Sequence, residues 1–291
     1  MTTWNQLKYR FELLNIAERL IVINVLCFVF PFLLNTIFFL FQLSFEGFMA
    51  WFQLSPDWGL LLFRPWSLIT YSFLHSGFFH LFWNMLFLYY AGLFFLNLLP
   101  AKTFLNTYFL GVLTGGLVFI LSYSIFPAFA GLRPAMVGAS AGVMAVFVFS
   151  ATYTPNQAIR LLFFTLKLKH LAIAYVLLDV IQIPYGNAGG HLAHIGGAVL
   201  GYTYARELQK GRDLGSGFEK LWTAFFGLFK TSKPLKTVYR STTTRPKKPR
   251  RSTADQDRID AILDKISASG YDSLSKEEKE LLFRAGRDNE A

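Results

Sequence analysis

The chain has 291 residues, 53% of them apolar and only 16% charged, with a positive mean hydropathy and 32 phenylalanines. Soluble globular domains carry about a quarter charged residues, so this composition excludes an ordinary soluble enzyme. The net charge of +10 is concentrated beyond Ala205, where 19 of the 28 basic residues lie. That placement points to a tail beside anionic lipid and argues against nucleic-acid binding.

Residues 1–19 are polar and too long for the basic start of a cleavable leader, so they are expected to stay at the cytoplasmic face. Six apolar blocks follow, at 20–41, 69–99, 104–126, 137–153, 171–184 and 191–205. A hydrocarbon core of roughly 30 Å needs about 20 apolar residues, which the first three blocks supply. The last three are shorter, as expected of helices shielded by protein or set in thin bilayer. The second is longer than one crossing, so its start is expected in a re-entrant or interfacial stretch. The reading is all-α: a polytopic membrane protein with a six-helix transmembrane bundle over 20–205.

Basic residues sit in alternate loops. Lys8, Arg10 and Arg19 precede the first block, Lys102 follows the second, Arg160, Lys167 and Lys169 follow the fourth, and Arg206, Lys210 and Arg212 follow the sixth. The other loops hold only Arg64 and Arg133. The positive-inside bias therefore places both termini in the cytoplasm. The segment 46–65, rich in Trp51, Phe52, Trp58 and Phe63, is expected to lie in the interface. Cys27, the single cysteine, excludes an intrachain disulfide and is expected to pack.

The remainder reads as a basic cytoplasmic linker over 206–254, then a small helical unit over 255–291. Within the linker, 230–251 carries nine basic residues and three prolines. In the last unit Ile259, Ile262, Leu263 and Ile266 have helical spacing, Gly270 ends that helix, and Ser275 with Glu278 has capping-box spacing. So short a unit buries little and is expected to dock on the cytoplasmic face of the membrane domain or on a cytoplasmic partner.

Polar groups at membrane depth are costly, and their default reading is functional. Here they are His75, His80, Asn84, Ser140, Asp179, His191 and His194. A serine needs a base within hydrogen-bond reach to become a nucleophile. His194 on the sixth block is the best candidate for Ser140, which opens the fourth. Gly138 and Gly142 are four apart, as are Gly197 and Gly201, so two small-residue faces are expected to bring these helices together. His80 and Asn84, four apart on one helix face, can donate hydrogen bonds to a tetrahedral oxyanion, as can the Ser140 backbone N–H. Each of these features also has a purely structural reading as an interhelical hydrogen bond or contact.

The order His75-x4-His80-x3-Asn84, Gly138-Ala139-Ser140, and Ala193-His194-x-Gly196-Gly197 resembles the rhomboid family of intramembrane serine proteases, as do Trp66 and Leu68-Ile69-Thr70. The resemblance spans about 20–204. It implies a rhomboid-like bundle in which Ser140 is the nucleophile and His194 the general base, with His80 and Asn84 at the oxyanion and Gly138, His75 and His191 in support. It implies cleavage of transmembrane protein substrates within the lipid bilayer by a Ser-His dyad, with no metal or cofactor and no nucleic acid. An inactive rhomboid-like membrane chaperone or binding protein is the alternative. Absence of a transit sequence fits a bacterial plasma membrane.

Three positions depart from the family pattern. Ala141 stands where glycine usually follows the serine, and its methyl group bears on the helix contact and the oxyanion site. Ser67 follows Trp66 where arginine is frequent, with Arg64 just before. Met144 stands where an aromatic residue often underlies the histidine. Asp179 has no role in that pattern and is expected to make a structural pairing. The paired histidines also permit zinc, but no carboxylate or cysteine stands at ligand spacing beside them. His170 is expected to be polar surface.

Overall fold

The structure, a computed structural model, describes residues 2–161, 164–227 and 253–290. It divides into two compact units, Met1–Lys230 and Thr231–Ala291. The basic stretch 230–251 lies outside the described residues.

The chain begins with helix α1 (Thr3–Leu13) and α2 (Ile16–Leu40). A capping box starts α2: Asn15 accepts from the Glu18 backbone N–H, and Glu18 accepts from that of Asn15. Three short helices follow, α3 (Phe45–Met49), α4 (Trp58–Phe63) and α5 (Ser67–Thr70), and then α6 (Phe78–Leu96) and α7 (Ala101–Ile125). After a loop come α8 (Ser140–Tyr153), the hairpin strands β1 (Ala158–Leu161) and β2 (Phe164–Lys167), α9 (Leu168–Gln182) and α10 (Ala188–Gln209). The last helix of this unit is α11 (Gly215–Gly227).

Each predicted block falls on a helix. Among the described residues α2, α6, α7 and the run Leu168–Tyr185 are long and apolar enough to cross a membrane, and α8 is a shorter apolar helix. The chain is thus an integral multi-pass membrane protein. Large apolar side chains of α2, among them Leu26, Phe30, Phe32, Leu33 and Phe39, point outward, as lipid-facing residues must. By contrast α8 is apolar all round and buried from Ala141 to Ala151, which makes it the central helix. Its shortness matches that shielding.

Several details differ from the sequence reading. The second block does not begin as a spanning helix: α5 and a 3₁₀ turn (Tyr71–Phe73) precede α6. Residues 154–170, read as loop, contain an antiparallel hairpin that pairs Ala158 with Lys167 and Arg160 with Thr165. His170 is exposed in the first turn of α9. The sixth block starts earlier than expected because Asn187 adopts a left-handed conformation (φ +47°) that turns the chain into α10. Its glycine-rich first turn is packed, with Gly189 against Phe119 of α7. Part of the expected linker is the helix α11, docked on α7 by stacking of Trp222 on Phe109 and by an ion pair of Glu219 with Lys102.

In the second unit, α12 (Thr253–Ser269) ends at Gly270, whose φ is +80°. Then α13 (Lys276–Glu290) starts with the reciprocal Ser275–Glu278 capping bonds. Lys265 of α12 pairs with Glu278 at 2.9 Å.

Candidate functional site

The segment ahead of α8 is fixed before the serine is reached. Leu54 and Met136 exchange both backbone hydrogen bonds, at 3.1 and 2.8 Å, which joins the first loop to this segment. The Gly138 N–H donates to the Tyr71 carbonyl at 2.9 Å, and the Tyr71 hydroxyl donates to the Val112 carbonyl at 2.7 Å. The first loop is itself braced. Trp51 and Trp66 stack, Arg64 lies 4.2 Å over Trp51, and the Trp66 indole donates to the Trp51 carbonyl. Arg64, placed before Trp66, thus supplies the cation that Ser67 does not.

Gly138 has φ +131°, a conformation that disfavours a side chain. A Cβ there would come within 3.0 Å of the His80 Nε2 and 3.5 Å of the Ser140 hydroxyl. Ser140 is the first residue of α8, and the preceding Ala139 offers no capping side chain. The first backbone N–H groups of α8 are therefore free of side-chain caps.

Small residues seat α8 against α7 and α10. A Cβ on Gly197 would overlap the Ala141 carbonyl, and one on Gly201 the Ala145 carbonyl. This corrects the expected pairing of glycine faces. The Gly197–Gly201 face of α10 meets Ala141 and Ala145, while Gly142 faces Tyr108 and Val112 of α7 and Gly138 precedes the helix. The Ala141 methyl group is accommodated because α7 carries Gly115 opposite it, where a Cβ would approach it to 2.5 Å. It therefore does not hold α10 away.

A cavity of about 330 Å³ opens beside this junction. Its walls include Ser140 from α8, His194 from α10, His80 and Asn84 from α6, and Gly138, so these five predicted site residues come together. Ser140, His80 and His194 are half-buried and Asn84 is buried. The Ser76 backbone N–H donates to the His80 Nδ1 at 3.3 Å, and the Ser76 hydroxyl lies 3.0 Å from the same nitrogen. A nitrogen that accepts an N–H carries no proton, so the neutral ring bears its hydrogen on Nε2, the nitrogen beside Gly138. One Asn84 amide hydrogen goes to the His80 carbonyl at 2.8 Å, which leaves the other.

His75 and His191 lie outside this cavity wall. His75 packs edge-on to His80, ring centres 5.2 Å apart, and lines a second cavity with Cys27 and Phe28 of α2. His191 meets the site through Asp179 of α9. The Asp179 Oδ1 lies 2.8 Å from the His191 Nδ1 and 2.9 Å from the His194 Nδ1. The structural pairing expected of Asp179 is therefore made with His194 itself. It also supplies the carboxylate whose absence argued against metal binding. The three ligand atoms lie within 4.8 Å of one another, and the carboxylate oxygen is at hydrogen-bond distance from both ring nitrogens. Among the described residues the group that could hold an ion contains His191 and His194 but neither His75 nor His80.

Tyr175 was not singled out from the sequence. Its ring lies 6.5 Å from that of His194 and stacks on Phe87, which also packs on Phe147. The aromatic neighbour of the histidine thus comes from α9, while Met144 is buried in the cavity wall. The available signal was the four-residue spacing of Tyr175 and Asp179, which puts both on one helix face.

A family model described as a rhomboid domain matches residues 63–210. A second, described as a family of unknown function (DUF6576), matches residues 250–285. No curated protein matches the chain.

Proposed function

The chain belongs to the rhomboid family, and on that premise we propose that it is an intramembrane serine protease that hydrolyses peptide bonds in or near transmembrane helices of other membrane proteins. The observation that carries this reading is the shared cavity, with Ser140, His194, His80 and Asn84 in its walls. Ser140 attacks the scissile carbonyl. His194 takes the hydroxyl proton and returns it to the leaving amine. The Nε2–H of His80, the spare amide hydrogen of Asn84 and the uncapped Ser140 N–H are donors for the negative oxygen of the tetrahedral intermediate. Each such donor is worth about 3 kcal/mol of barrier. A substrate helix must unwind locally, because an intact helix ties up its own carbonyls.

The positive-inside bias supports cytoplasmic termini, and the second unit then faces a cytoplasmic partner. Ser140→Ala should reduce cleavage of a transmembrane substrate in detergent to background while the thermal unfolding of the protein stays unchanged. Undiminished cleavage by that variant would refute the assignment. A fluorophosphonate probe should label the wild type and fail on both Ser140→Ala and His194→Ala.

A further inference from the structure

The proteolytic reading leaves one buried ionisable group without a task. Asp179 of α9 is 3% exposed, at a depth where a carboxylate kept only for packing is an expensive choice. Its Oδ1 faces the Nδ1 of His194 at 2.9 Å and the Nδ1 of His191 at 2.8 Å. Its Oδ2 is buried and has no hydrogen-bond partner among the described residues. We propose that Asp179 is a positioning residue that locks the tautomer and orientation of the His194 ring, which extends the serine–histidine pair to a third member. This rests on the reading of His194 as the base.

An ionised carboxylate has only lone pairs to offer, so each ring nitrogen facing it donates. His194 then carries its hydrogen on Nδ1, and its Nε2 keeps the lone pair with which a base removes a hydroxyl proton. Without the carboxylate a neutral imidazole divides between two tautomers, one of which has no lone pair on Nε2. His191 stands three residues earlier on α10, its ring 6.0 Å from that of His194 and nearly perpendicular to it. It contacts the same carboxylate oxygen. Tyr175, on the same face of α9 as Asp179, limits the swing of the His194 ring.

The test uses the intact protein in detergent. Asp179→Asn can place an amide N–H against the ring and favour the wrong tautomer. It is expected to lower kcat by roughly 10- to 1,000-fold, with KM changed less than about two-fold. Asp179→Glu, which restores a carboxylate, should recover part of that loss. In protein with ¹⁵N-labelled histidine, the deprotonated ring of His194 should carry its hydrogen on Nδ1 in the wild type and be mixed in Asp179→Asn. An unchanged kcat overturns the proposal. So does a fall in kcat that Asp179→Glu does not relieve, with the tautomer of His194 unaltered. If Asp179→Asn does not fold, the wild-type spectrum decides alone, and a hydrogen found on Nε2 of His194 overturns it. Cleavage that survives Ser140→Ala would instead sink the assignment of Ser140 as nucleophile, while the His194 spectrum would still report on the carboxylate contact.

Discussion

Gly138 illustrates how much a single backbone angle sets. At φ +131° any side chain is strained, at a typical cost of about 1–3 kcal/mol, and a methyl group would also press on the His80 ring. Gly138→Ala is therefore expected to lose activity more than stability, with a fall in kcat of tenfold or more beside a modest drop in melting temperature. Assays of cleavage and of unfolding on the same preparation would check this. Ser140, His194, His80 and Asn84 stood out in the sequence as polar residues in apolar blocks, and the family resemblance tied them to one site. Ser76 was not legible, since the contact that fixes the His80 tautomer is made by a backbone N–H, which has no residue identity, beside its hydroxyl. The partner of Asp179 was hidden for another reason: α9 and α10 are joined by a turn whose left-handed Asn187 sets how the two helices face each other.

Between helices, the seam of α7, α8 and α10 works through paired volumes. The Ala141 methyl group fills a place that Gly115 leaves open, so an apparent departure on one helix is matched on another. Gly115→Ala should destabilise the protein by roughly 1–3 kcal/mol through overpacking. Adding Ala141→Gly should recover only part of that loss, because the Ala193 carbonyl also stands 2.8 Å from the place the new methyl would take. A double-mutant cycle on thermal unfolding in detergent measures the coupling, and strictly additive effects would show that the two positions do not share space. The sequence revealed that small residues would mediate contact, but not which carbonyl each would meet. Periodicity gives the face of a helix and leaves its depth and partner open. The same limit explains α11 and the hairpin, whose short amphipathic or polar stretches read as linker.

For the chain as a whole, the apolar blocks announced a membrane bundle, and burial sorted α8 to the centre. The second unit was legible through its caps. There the Ser275 backbone N–H, and after it the Lys265 ammonium, hold the Glu278 carboxyl below the usual carboxylate range. A carboxyl whose folded value is depressed adds stability above its unfolded value and loses it as pH falls through the folded one. The start of α13 should therefore loosen only on the acid side, and Glu278→Gln should remove that dependence. Amide exchange at Ser275, corrected for the intrinsic effect of pH, would follow it, and equal acid sensitivity in both proteins would contradict it. In the first unit, the reciprocal backbone hydrogen bonds of Leu54 and Met136 have a mechanical corollary. They stitch the aromatic loop to the short run that leads to Ser140, and Gly138 hangs in turn from Tyr71. A push on that loop, whether from lipid or from an arriving helix, is therefore felt at the serine before any long helix has to bend.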